Sequence, residues 1–308
     1  MTTIINGKVY YGGGASVNEH HRHQYTVCCY DPSRDEWTTV PPLPAAVRCF
    51  GLGQVNDKLV TVGGKEEGDK ITVATDKVYV YDEQSQKWNS LAPMLTARFS
   101  PGVLSLKSAL IVAGGAALTK KTNFFGRTSY IPTELNIVEV FKPDMLQWYQ
   151  MNPLPRACYG ISLISIGNKC YALGGSIFFA EVGATAEITL DQALFASTDD
   201  LLHSAEPITK SVWKKLPGNT PSFTSNPAAA LLAGNLLAVV AHSSNWFEKP
   251  TGIYMYQSSK NSWIHIGAPP KSSFSQADLA VAILSSLEIL VINHKNNCVH
   301  RGAPLFFE

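Results

Sequence analysis

Residues 58–98 read KLVTVGGKEEGDKITVATDKVYVYDEQSQKWNSLAPMLTAR. Two short runs, LVTV and VYVY, are β-branched or aromatic and bounded by turn residues, the signature of strands. The first ends in Gly63–Gly64, a pair suited to a strand end where backbone must approach backbone without a Cβ in the way. DEQSQK is a polar turn. Six residues separate Tyr81 from Trp88, a large apolar side chain that returns the chain and suits packing between sheets. Leu91, Pro93 and Arg98 follow. One such unit has too little core to fold alone, and a ring of them has enough.

Edited copies of this unit fill the 308 residues. Gly13–Gly14, Gly63–Gly64, Gly114–Gly115 and Gly174–Gly175 are the glycine pairs. Tyr30–Trp37, Tyr81–Trp88, Phe141–Trp148 and Tyr256–Trp263 repeat the aromatic spacing, so three copies carry both marks. The register tryptophans 37, 88, 148, 213 and 263 lie 51, 60, 65 and 50 residues apart. The fourth copy has about 35 residues before Trp213, room for a short helix within DQALFASTDDLLHS, and no aromatic at the tyrosine position. In the fifth and sixth copies Ala241–His242 and Asn293–His294 replace the glycines, and the chain ends in PLFFE without a tryptophan. Trp246 is off register, in a loop.

These residues resemble the kelch-repeat family over the whole length, and most of all the six-bladed propeller of BTB–kelch proteins. The resemblance implies an all-β fold: a six-bladed kelch propeller of four-stranded antiparallel blades. It makes residues 1–308 a single domain, with blades at approximately 1–44, 45–95, 96–155, 156–218, 219–270 and 271–308. In the family the propeller recruits a protein, while an N-terminal BTB domain engages a cullin-type ubiquitin ligase. No BTB domain precedes the repeats in this sequence.

Composition narrows the function. Hydrophobic residues make up 45% and charged residues 16%, an ordinary globular balance, and a net charge of +1 offers no global attraction to nucleic acid or membrane. The start MTTIINGKVYY lacks the pattern of a signal peptide. The most apolar stretch, 227–241, is broken by Gly234–Asn235 and falls short of the ~20 residues that span a bilayer. The six cysteines, Cys28, Cys29, Cys49, Cys158, Cys170 and Cys298, form no CxxC pair and read as buried free thiols of a reducing, cytoplasmic protein.

Loops on a rigid scaffold are where recognition is expected. In an antiparallel blade the second-to-third loop and the blade-to-blade connection emerge on one face. The long variable loops fall there: 15–24, 65–76, 116–135, 176–186 and beyond, and 243–252. Arg48, Arg98 and Arg156 sit at connections on that face, and His242 and His294 open loops on it. In peptide-binding kelch propellers arginines and small polar residues at these connections line the channel mouth, so the resemblance implies a partner site of Arg48, Arg98, Arg156 and Ser100, with Tyr159 as an aromatic wall. Blades five and six offer serines instead, notably Ser225 and Ser275. A guanidinium fork matches carboxylates, so the expected partner is an acidic peptide or loop. A repeat-position arginine serves equally as a strut to the next blade's carbonyls, and both roles stay open.

The chemical alternatives are weaker. His20, His21 and His23 lie in a polar loop without Cys or carboxylate at a metal-binding spacing, so a solvated loop is the plainer reading and no metal or cofactor is expected. Galactose oxidase and plant specifier proteins use kelch propellers as enzymes. Here no spacing selects a ligand set, and no nucleophile motif or phosphate loop is present, so no catalytic residue is assigned. A cytoskeletal, actin-binding scaffold is the alternative to peptide recruitment.

Overall fold

The computed structural model describes the chain except for residues 1, 14–25, 69–71, 123, 125, 127, 182–183, 191, 204–209, 219, 222–227, 233–234, 241–251, 258, 268–278, 284–288, 294–297 and 303–308. The side chains of 179–189, 228–240 and 279–302 are likewise outside what it describes.

Most of the described strands form six successive antiparallel sheets, and two small sheets stand beside them. Sheet one holds Thr2–Ile5, Lys8–Gly12, Val27–Asp31 and Glu36–Thr39. Sheet two holds Gly51–Val55, Lys58–Val62, Val78–Asp82 and Lys87–Ser90. Sheet three holds Gly102–Leu106, Ala109–Ala113, Val138–Lys142 and Gln147–Met151. Sheet four holds Tyr159–Ile166, Lys169–Glu181, Ala193–Ser197 and Lys214–Lys215. Sheet five holds Ala228–Leu232, Asn235–Val240, Gly252–Gln257 and Ser262–Gly267, and sheet six Leu279–Ile283, Ile289–Asn293 and Cys298–Gly302. The first strands of consecutive sheets are neighbours, and Leu279–Ile283 of sheet six also adjoins Thr2–Ile5 of sheet one. The first strand is therefore the inner one.

Local chemistry explains the repeat. Asn6–Gly7 and Asn56–Asp57 turn their hairpins with positive φ at both central positions, the geometry that matches strand twist. Asp35, Gln86, Leu146 and Asn261 take a left-handed conformation just before the outer strand, so the third-to-fourth turn has one shape in four sheets. The aromatic pairs meet face to tilted face, with ring centroids 5.0 Å apart for Tyr30–Trp37, 5.2 Å for Tyr81–Trp88, and 5.3 Å for Phe141–Trp148 and Tyr256–Trp263. Trp88 Nε1–H donates to the Pro41 carbonyl at 2.7 Å and Trp148 Nε1–H to that of Ala92 at 2.8 Å. Each indole thus fastens its own sheet to the closing segment of the previous one, a reason for tryptophan where another apolar residue would only pack.

The glycine pairs mark a close approach. A Cβ on Gly63, at φ +60°, would lie 2.3 Å from the Arg98 carbonyl oxygen, and one on Gly114, at φ +63°, 2.6 Å from that of Cys158. The neighbouring Gly64 and Gly115 donate their N–H groups to those same carbonyls at 2.8 and 2.9 Å. Arg98 and Cys158 are therefore structural equivalents.

Two expectations need correction. Arg48 was expected at a blade-to-blade connection, and that connection contains a strand of its own. The inner strand begins at Gly51, and Val47–Arg48 instead joins a small sheet with Lys65–Glu67 and Thr72–Ala74. The long loop of blade three is a hairpin, Ala116–Thr122 paired with Thr128–Glu134. In blade four the expected helix exists as the short Thr198–Leu202, capped by the Ser197 hydroxyl, with Asp199 and Asp200 favourably placed in its first turn.

Candidate functional site

Three β-hairpins stand side by side on the face of the second-to-third loops. Each continues from a middle strand past its glycine pair. They are Lys65–Glu67 with Thr72–Ala74, Ala116–Thr122 with Thr128–Glu134, and residues 176–181 with Ala184–Thr189. The first adjoins the second, and the second adjoins the third, where Glu134 Oε1 accepts the Phe178 N–H.

At the foot of each hairpin one residue of the preceding connection pairs with the residue after the glycines. These pairs are Arg48 with Lys65, Phe99 with Ala116, and Tyr159 with Ser176. Arg48, Phe99 and Tyr159 thus hold one repeated position. The next residues, Cys49, Ser100 and Gly160, share a left-handed conformation with φ of 55°, 49° and 64°. They are stitched together by Ser100 N–H to Cys49 O at 2.7 Å and Gly160 N–H to Ser100 O at 2.9 Å. This register shows that the consecutive connections lie against one another on this face.

The same register corrects the expected arginine triad. Arg98 precedes the shared position by one residue and aligns with Val47 and Cys158. Arg156 precedes it by three. Arg98 has no exposed surface. Its Nη1 donates to the Gly114 and Ile137 carbonyls, each at 2.9 Å, and its Nη2 pairs with Glu139 Oε1. It is an inter-sheet strut and reaches no partner. Burial lowers its proton affinity, and Glu139 opposes that effect. Arg156 is exposed. Tyr159 is buried and stacks on Phe178, centroids 4.2 Å apart and planes 13° apart, so it supports the mouth from beneath. Ser100 is half-buried within the stitched connections. Ser225, His242, Ser275, His294 and the His20–His23 cluster lie outside the described residues.

Of the expected residues, Arg48 reaches the site. It lines a cavity of about 260 Å³ with Lys65, Thr72, Leu118 and Tyr130. Arg48 Nε lies 3.4 Å from Glu67 Oε1, an ion-pair distance, yet makes no hydrogen bond. Lys65 Nζ sits 4.0 Å above the Phe99 ring, a cation–π contact. Burial lowers the proton affinity of Lys65, with Cys49 opposing and Arg48 adding to the effect. Beneath lie Cys49, Phe99, Ala116 and Tyr159, a buried cluster. Burial raises the pKa of the Cys49 thiol despite Lys65 and Arg48, so it stays protonated and inert near neutrality.

Lys65, Thr72, Leu118 and Tyr130 were not singled out from sequence. One signal was available for Lys65: it directly follows the glycine pair, and Ala116 and Ser176 occupy the same place. A second cavity of about 430 Å³ opens between sheets one and two, beside their first-to-second and third-to-fourth turns. Its charges meet within it, Lys8 with Glu83 at 3.8 Å and Lys58 with Asp82 at 3.7 Å. Among the described residues no cluster of three or more His, Cys, Asp or Glu forms a metal site, and no helix is long and apolar enough to cross a membrane.

A family model described as the Kelch motif matches residues 46–95, the second sheet with its hairpin. The chain is similar to Kelch-like protein 40a of Danio rerio, with 34% identity over 119 residues, 37% of this chain and 19% of that protein. It is similar to human Kelch-like protein 41, with 26% identity over 230 residues, 62% of this chain and 36% of that protein. Human Kelch repeat and BTB domain-containing protein 12 shows 25% identity over 188 residues, 57% of this chain and 29% of that protein. The matches span between about a fifth and about a third of these relatives' lengths.

Proposed function

Taking as premise that this is a kelch-repeat chain of the BTB–kelch type, we propose that it is a non-catalytic protein-recognition domain. Its mouth, centred on Arg48 and Lys65, binds an acidic segment of a partner protein. In this reading residues 1–308 are one propeller whose six sheets are its blades. One observation carries the assignment: two cations converge on one cavity whose sole ion-paired carboxylate among the described residues is the part-exposed Glu67. The neighbouring Leu118 and Tyr130 supply apolar and aromatic surface of the kind that anchors interfaces. One relative's name joins kelch repeats to a BTB domain, which favours a substrate receptor in a ubiquitin-ligase adaptor over a cytoskeletal scaffold. The buried thiols Cys28, Cys29, Cys49, Cys158 and Cys170 are all free, which suits a reducing compartment such as the cytoplasm.

The test is fluorescence anisotropy with a labelled peptide carrying paired Asp and Glu residues in a turn. Arg48→Ala and Lys65→Ala, checked for folding by circular dichroism, should each weaken binding by about 1–3 kcal/mol. Affinity should also fall as salt rises, because part-exposed charges are screened over ~8–10 Å. Folded variants that bind like the parent would remove the mouth as the site. Co-sedimentation with F-actin that the peptide does not compete would favour the scaffold.

A further inference from the structure

The cavity at the mouth has more to say than its sign of charge. Of its five lining side chains, Arg48, Lys65, Thr72 and Tyr130 carry N–H or O–H donors, and Leu118 alone is apolar. The Arg48 Nε is buried without a hydrogen bond, facing Glu67 at 3.4 Å. The Lys65 ammonium rests on the Phe99 ring and has no ion-paired carboxylate among the described residues. In the hairpin register Lys120 stands directly opposite Tyr130, which places a third cation on the same strand pair.

A carboxylate brings two oxygens and one charge. A phosphomonoester brings three strong acceptor oxygens and about 1.5 to 2 negative charges at neutral pH. Two cations with two hydroxyls on facing walls exceed what one carboxylate can accept, and a buried donor left unmatched is costly. Glu67 already supplies one carboxylate to Arg48 and leaves its Nε without a hydrogen bond.

We propose that the mouth cavity is a phosphate pocket, taking a phosphorylated side chain of the partner segment between Arg48 and Lys65, with Glu67 as the resident carboxylate that it displaces. This rests on the reading of the mouth as an anion site and specifies which anion it selects. The phosphate oxygens accept from the Arg48 fork, the Lys65 ammonium and the hydroxyls of Thr72 and Tyr130. Leu118 packs against the carbon stem of the ligand. Replacing one negative group by a more highly charged one on the same cations gives the phosphorylated segment its advantage. Glu67 keeps the site closed to weakly charged competitors.

The experiment uses the full chain and three fluorescent peptide pools with identical degenerate flanks and a central phosphoserine, glutamate or serine. The phosphoserine pool should bind roughly tenfold more tightly than the glutamate pool, as charge-assisted contacts to a dianion predict. Lys65→Gln should cut that preference to about twofold or less, since one of the two cations is lost. Glu67→Gln should raise phosphoserine affinity a few-fold, because the competing carboxylate is gone. Thr72→Val tests the hydroxyl and should weaken the phosphoserine pool more than the glutamate pool. If the glutamate pool binds as tightly as the phosphoserine pool, and both depend on Lys65, the phosphate inference falls while acidic recognition stands. If neither pool binds, or both ignore Arg48 and Lys65, both readings fall together.

Discussion

Arg98 shows how one side chain can hold two sheets in place. Its guanidinium donates to the Gly114 and Ile137 carbonyls, its Nε to the Thr96 carbonyl at 3.3 Å, and it pairs with Glu139, which is as fully buried as itself. The other Glu139 oxygen accepts the Leu95 N–H at 2.7 Å. The pair therefore ties the segment leaving sheet two to the strand Val138–Lys142 of sheet three. Removing one partner strands a buried charge, so Arg98→Met should cost about 3–5 kcal/mol of stability in urea unfolding. The double variant Arg98→Met with Glu139→Leu should cost clearly less than the two single changes combined, because neither charge is left alone. An Arg98→Met chain as stable as the parent would show that the pair bears no strain between the sheets. Spacing alone placed Arg98 beside Arg48 and Arg156. Its burial followed from a partner 41 residues away, which no local pattern reveals.

At the scale of elements, the hairpins are extensions of the middle strands rather than loops. In sheet three Ala109–Ala113 is wholly buried, whereas Ala116–Thr122 becomes exposed after its first residues. The hairpin is joined by cross-strand pairs such as Thr119 with Thr133, 3.0 Å apart, rather than by a core. That is why these strands were invisible in sequence: TKKT and TSYI lack the one-sided apolar alternation by which a half-buried strand is recognised. The third strand of sheet four was missed for another reason. Its third strand, Ala193–Ser197, puts Ala196 opposite Cys170, where sheet three pairs Phe141 with Leu110. Since the hairpin of blade three contributes walls to the mouth and little to the core, replacing residues 118–132 with a short Asn–Gly turn should leave the melting temperature within about 5 °C. The same change should weaken acidic-peptide binding by about tenfold, or ~1.4 kcal/mol, through loss of Leu118 and Tyr130. Collapse of the cooperative melt would instead make the hairpin a structural element.

In the whole molecule the inner strands run as a cycle of neighbours in which Thr2–Ile5 adjoins both Gly51–Val55 and Leu279–Ile283. Sheet one thus adjoins sheet six through its first strand, while against sheet two it also packs Tyr10, Val27 and Cys29. A chain lacking residues 1–5 should lose several kcal/mol and melt at least ~5 °C lower, with the loss read by calorimetry. An unchanged melt would show that this strand closes nothing. The tail PLFFE lies outside the described residues. The residue order alone showed the β class, the repeating unit, the turn positions and the aromatic spacing, because each depends on residues within one hairpin of one another. It also determined which face bears the long loops, since that follows from strand order. Which arginine lines the cavity depends instead on the packing of the folded chain. Arg48 and Arg98 lie on equivalent connections but differ by one residue relative to the Cys49 and Ser100 turns. Along an extended backbone side chains alternate sides, so a shift of one residue sends one guanidinium to the surface and the other into the wall between sheets.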